Sequence, residues 1–196
     1  MLKKILSTMF IMGFLASSLG VANAADVPSV KKKLTPQGLY LSPKEAHDMV
    51  KANPEKVLFV DVRTPEELYF VGYAEGVDKN IPLAYVNYSK LHKKGKKFVS
   101  KKNKNLVSQV EAALKAKGLT KEDKIIFICR SGDRSASAAG LMDKAGYKKV
   151  YSIVTGTEGD KDKETKKRTV NGWKNDALPW TYKFNKDLFL YESPFK

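Results

Sequence analysis

The chain has 196 residues, 42% of them hydrophobic, enough for one domain around a single packed core. Thirty-six Lys and Arg against 21 Asp and Glu give a formal charge of +15, which favours anionic small molecules or acidic partners. One cysteine excludes an internal disulfide, and the two histidines, His47 and His92, lie in no ligand-spaced pair, so neither a metal nor an organic cofactor is expected.

Lys3 and Lys4 precede an apolar stretch from Met9 to Leu19, and Ala22-Asn23-Ala24 offers a small-x-small cleavage site. This predicts a secretory signal peptide over residues 1–24. The apolar core is shorter than the ~20 residues of a spanning helix, so no stable membrane insertion is expected after cleavage. The mature chain would then begin near Ala25 and work in the periplasm of a Gram-negative host. Residues 25–37 read as an N-terminal extension.

Leu39-Tyr40-Leu41 predicts a short strand, followed by a helix with Ser42 as N-cap and Pro43 in its first turn. Val57 to Val62 predicts a buried strand with Asp61 at its carboxyl end, where ligand sites of open α/β sheets lie. Arg63 is expected to pair with Glu66 or Glu67. Residues 92–105 form a lysine-rich insertion, read as a solvated loop, with an anionic docking surface as the sharper alternative. Apolar positions Leu106, Val107, Val110, Ala113 and Leu114 match one helix face, ended by Gly118. Lys124 to Ile128 predicts the central strand, Ser135 to Met142 a helix, and Lys149 to Val154 another strand. Strands alternating with helices imply a mainly parallel sheet flanked by helices on both faces. The extended segment 155–172 reads as either a lid beside the cysteine loop or a mobile surface loop, and Trp173 and Leu178 as core. The aromatic tail, 183–196, is expected to dock on the domain or on a second subunit.

The chemistry concentrates at Cys129-Arg130-Ser131-Gly132-Asp133-Arg134-Ser135, between the central strand and the next helix. Backbone N–H groups of such a turn and the helix dipole favour a thiolate or a bound anion. Arg130 and Arg134 are expected to add positive charge. An Asp133 carboxylate facing the pocket would weaken binding of a dianion. Cys129-x4-Arg134 is one residue shorter than the Cys-x5-Arg loop of cysteine phosphatases, which disfavours a phosphoryl group and suits a smaller sulfane sulfur.

This loop resembles the active-site loop of the rhodanese family of thiosulfate or polysulfide sulfurtransferases, and in particular a periplasmic single-domain branch. Val57-Leu58-Phe59-Val60-Asp61-Val62-Arg63-Thr64-Pro65-Glu66-Glu67 is similar to the family's strand with Asp-Val-Arg and acidic helix start. Gly72-Tyr73-Ala74-Glu75-Gly76-Val77 through Asn80-Ile81-Pro82-Leu83 resembles its Gly-His-Ile-x-Gly-Ala and Asn-Ile-Pro stretch, with Tyr73 and Val77 as departures that affect packing. The resemblance implies an α/β rhodanese-like domain over 38–182 and a Cys129 persulfide. The donor would be bound by Arg130, Ser131, Gly132, Asp133, Arg134 and Ser135. Asp61 and Arg63 would organise the loop, Asp61 standing close enough to pair with an arginine such as Arg134. Expected partners are small anionic sulfur compounds and an acidic periplasmic acceptor protein. A carrier or binding module with little free turnover is the alternative. Nucleic acid is not expected in that compartment, and membrane-surface binding is the less favoured reading of the charge.

Overall fold

The computed structural model describes residues 25–190. The proposed signal peptide lies outside them. Among the described residues five parallel strands form the central sheet, in the order β1 (Tyr40–Leu41), β8 (Val150–Ile153), β7 (Lys124–Ile128), β2 (Val57–Asp61), β4 (Lys79–Asn80). Four helices cover it: α1 (Pro43–Ala52), α2 (Pro65–Val71), α3 (Leu106–Ala116) and α4 (Asp133–Lys144).

The alternation along β2 and β7 builds both faces. Leu58, Val60, Ile125, Phe127 and Cys129 pack with α3 and α4, while Val57, Phe59, Ile126 and Ile128 pack with Ala46 of α1, Leu68 of α2 and Trp173. The two central strands therefore read as unbroken apolar runs. Ser42 caps α1 as expected, its Oγ accepting from Glu45 N–H while the Glu45 carboxylate accepts from Ser42 N–H. Gly118 follows α3 at φ +71°.

The lysine-rich insertion is not a plain loop. It forms most of an antiparallel hairpin, β5 (Ala84–Leu91) with β6 (Phe98–Lys102), interrupted by a register shift between Asn87 and Leu91. The aromatic and β-branched Tyr85, Val86 and Val99 give it strand character that the lysines obscured.

The described part of the tail docks on its own domain. A second small sheet pairs β3 (Tyr73–Ala74) with β9 (Trp180–Thr181). Tyr73 Oη donates to Lys183 O at 2.6 Å, Leu188 is 4% exposed, and Phe189 forms a parallel bridge with Asn80. Tyr73 thus uses its hydroxyl to anchor the tail. No described helix is long and apolar enough to cross a membrane.

Candidate active site

Strand β7 ends at Ile128 and delivers Cys129 into a three-residue turn before α4. Gly132 sits at φ +99°, where a Cβ would fall 2.2 Å from Val154 O, so only glycine closes this turn. The Cys129 and Arg130 carbonyls face away from the sulfur. They accept from Thr157 N–H (2.8 Å) and Glu158 N–H (2.9 Å), which leaves the following amides turned inward. Cys129 Sγ, on a residue 1% exposed, accepts from Gly132 N–H at 3.2 Å and Ser135 N–H at 3.4 Å. Ser135 Oγ lies 3.5 Å from the sulfur, donates to Gly132 O at 2.9 Å and accepts from Ser152 Oγ at 3.1 Å. Two amides at the first turn of α4, with the helix dipole behind them, favour negative charge on the sulfur.

The two arginines differ: Arg134 stays within electrostatic reach of Cys129, whereas Arg130 turns to solvent. Arg134 donates from Nη1 and Nη2 to both carboxylate oxygens of Glu67, at 2.5 and 2.7 Å, tying α4 to α2. This fork holds Arg134 protonated against its own burial, with the Cys129 and Asp61 charges adding to the effect. Burial alone would raise the Glu67 carboxyl, but the Arg134 hydrogen bonds and charge outweigh it and hold it below its ordinary range. The same carboxylate accepts from Thr64 N–H, completing the capping box of α2. The Thr64-x-x-Glu67 spacing was the available signal for this helix start.

Asp61 and Arg63 pair with each other, not with Arg134 or with Glu66 and Glu67. Arg63 Nε and Nη2 donate to Asp61 at 2.9 and 2.7 Å, both side chains being fully buried. Glu67 is already engaged by Thr64 and Arg134, and Arg63 turns inward to reach Gly72 O as well. Asn80 Nδ2 donates to the Asp61 and Arg63 carbonyls, sealing the turn after β2. The pair therefore braces the strand end beside α2.

Asp133 turns out of the loop to Lys32 Nζ, 2.5 Å away. Its carboxylate is thus neutralised from the N-terminal segment, which answers the expected penalty on dianions. Ser131 is half-buried at the loop crown. Next to Lys32, Lys33 buries its stem and pairs with Asp160 at 2.9 Å. Segment 155–172 is consequently a buttress: its first residues hold the loop carbonyls, Trp173 N–H returns to Gly156 O, and Asp160 is fixed by Lys33 and Asn171. His47 packs edge-on against Trp173, 5.9 Å between ring centroids, and His92 lies in the exposed hairpin turn. Among the described residues no cluster of His, Cys, Asp or Glu is arranged to hold a metal ion.

A family model described as "Rhodanese-like domain" matches residues 42–163. The chain belongs to this family. An uncharacterised protein of Rickettsia conorii is 33% identical over 138 residues, covering 70% of this chain and 93% of the relative. A 46-residue stretch, 24% of this chain and 25% of the other, is 46% identical to the candidate sulfur carrier protein YrkF of Bacillus subtilis. The crystal structure of Rv0390 from M. tuberculosis superposes with a TM-score of 0.55 at 26% identity, covering 74% of this rhodanese-like chain and 97% of that one. The family match stops inside the buttress, so the Trp173 return and the docked tail extend this chain's domain beyond the matched core.

Proposed function

We propose that this rhodanese-like protein is a sulfurtransferase that moves sulfane sulfur from thiosulfate or polysulfide to a thiophilic acceptor through a persulfide on Cys129. The observation that carries this reading is the single thiol at the floor of an amide-lined loop, receiving the Gly132 and Ser135 N–H groups. Cys129 thiolate attacks the outer sulfur of the donor. The donor S–S bond breaks as the new one forms, and sulfite, or a polysulfide one sulfur shorter, leaves with the electron pair. An acceptor nucleophile then attacks the terminal persulfide sulfur and returns the thiolate. No external oxidant or reductant is consumed. Loop amides hold the persulfide anion without reorganising, which is electrostatic preorganisation. The apolar N-terminal stretch and its Ala-x-Ala ending support a periplasmic site of action.

A second reading is a sulfur carrier with little free turnover. It is favoured by the near-complete burial of Cys129 and by the match to a candidate sulfur carrier. Intact-mass spectrometry tests both. A ~32 Da increment after thiosulfate or polysulfide, removed by cyanide and absent in Cys129→Ser, is the expected result. Steady thiocyanate production favours the enzyme, stoichiometric loading without turnover favours the carrier, and no increment with any donor refutes both.

A further inference from the structure

We propose that the β5–β6 hairpin, together with the exposed aromatic face of α2, is a docking surface for an anionic phospholipid membrane. Between Asp78 and Glu111 the chain has nine lysines and no aspartate, glutamate or arginine. The hairpin gathers most of these lysines on one projecting ribbon, five of them between Lys90 and Lys97 around its turn. Beside them stand side chains that water does not favour. Tyr88, Leu91 and Phe98 are 56, 62 and 42% exposed. Leu91 pairs with Phe98 across the ribbon, and the Tyr88 and Phe98 rings meet edge to face at 5.2 Å.

This apolar tip continues onto the body of the domain. Tyr88 stands near Glu66 of α2, whose neighbours Tyr69 and Phe70 are 63 and 76% exposed. Their rings touch at 5.1 Å, and Tyr69 meets Phe184 of the tail at 6.3 Å. Contiguous apolar patches on a soluble surface mark interaction sites. Their chemistry here selects the occupant. Protein interfaces are enriched in arginine and depleted in lysine, the reverse of this surface. Aromatic rings and leucine flanked by lysines are the pattern that seats at the headgroup level of a membrane, with the lysine stems lying along the apolar boundary and their charges on the phosphates. Each lysine near an anionic leaflet strengthens adsorption about fivefold at low salt. This surface is independent of the thiol chemistry, and adsorption at it requires no spanning helix.

The test is co-sedimentation of the chain from Ala25 onward, which contains every described element of the fold, with vesicles of phosphatidylglycerol and phosphatidylcholine or of phosphatidylcholine alone. Binding is expected only to the anionic vesicles and should fall steeply with added salt. Reversing Lys93, Lys94, Lys96 and Lys97 to Glu should weaken it more than a hundredfold by the same per-lysine factor. Phe70→Ser with Phe98→Ser should weaken it at least tenfold while leaving the salt dependence in place. Unchanged circular dichroism, and unchanged persulfide loading, verify that the variants are folded. Absence of binding to anionic vesicles, equal binding to neutral ones, or indifference to the lysine reversal would overturn the proposal. So would tighter association with duplex DNA at the same salt, or a lipid-free dimer dispersed by the serine substitutions in a protein that ignores vesicles.

Discussion

Cys129 illustrates how much of a site one contiguous heptapeptide can disclose. The amides that reach the sulfur belong to Gly132 and Ser135, three and six residues away, so strand, turn and helix place them by local geometry alone. Partners distant in sequence were not legible in this way. Arg134 finds Glu67 across 67 positions, and Asp133 finds Lys32 in a segment that read only as an extension. Two substitutions separate these roles. Asp133→Ala should leave thiosulfate kcat/KM within about twofold of the parent, since the exposed pair with Lys32 is worth under about 1 kcal/mol; a large rise in steady-state turnover would place the carboxylate in the donor's path. Ser135→Ala removes the hydroxyl beside the sulfur and breaks the contact with Ser152. The hydroxyl proton is donated to Gly132 O, so the loss acts on the shape of the loop: stability should fall by about 1 kcal/mol in chemical denaturation, while persulfide formation followed by rapid-quench mass spectrometry should slow less than about tenfold.

At the scale of elements, the loop is held by what lies behind it and beside it. Gly156 approaches the turn so closely that an added Cβ would meet Cys129 O at 2.3 Å and Ser131 N at 2.7 Å. Gly156→Ala, at φ +64°, must therefore push the buttress off the loop. It should cost about 3 kcal/mol in chemical denaturation, together with a loss of persulfide loading. The α2–α4 fork gives a pH signature. Glu67 has its folded pKa depressed below the ordinary 4.5, so its contribution is fully present above 4.5 and is lost as pH falls through the folded value. Thermal midpoints measured from pH 7 downward should drop in the parent on that acid limb. In Glu67→Gln the stability should be lower by about 2 kcal/mol at neutral pH, and the acid limb should be flatter. The helices and central strands were readable because apolar periodicity and capping signals are local. The nature of 155–172 was not, because a segment of charged and turn-forming residues looks the same whether its backbone amides face water or another loop's carbonyls.

Both ends of the described chain fold back onto the domain. The N-terminal segment reaches Asp133 and Asp160 through Lys32 and Lys33, and the tail crosses the opposite edge of the sheet to β4. Sequence alone left the tail open between its own domain and a second subunit, since its alternation of apolar and polar residues is imperfect and its register is set only by contact. Leu188 decides its energetic weight. It is 4% exposed within the cluster of Phe59, Leu68, Tyr73 and Trp173, so truncation to alanine leaves a cavity in a face that also carries α2, the helix holding Arg134. Buried Leu→Ala changes cost about 2–5 kcal/mol, and the same loss should appear here as a lowered denaturation midpoint with unchanged slope. A tail that merely rested on the surface would give less than about 0.5 kcal/mol. Because the anchoring Tyr73 hydroxyl and Phe189 bridge remain, Leu188→Ala should keep persulfide loading at low temperature and lose it, with the fold, several degrees earlier than the parent on heating.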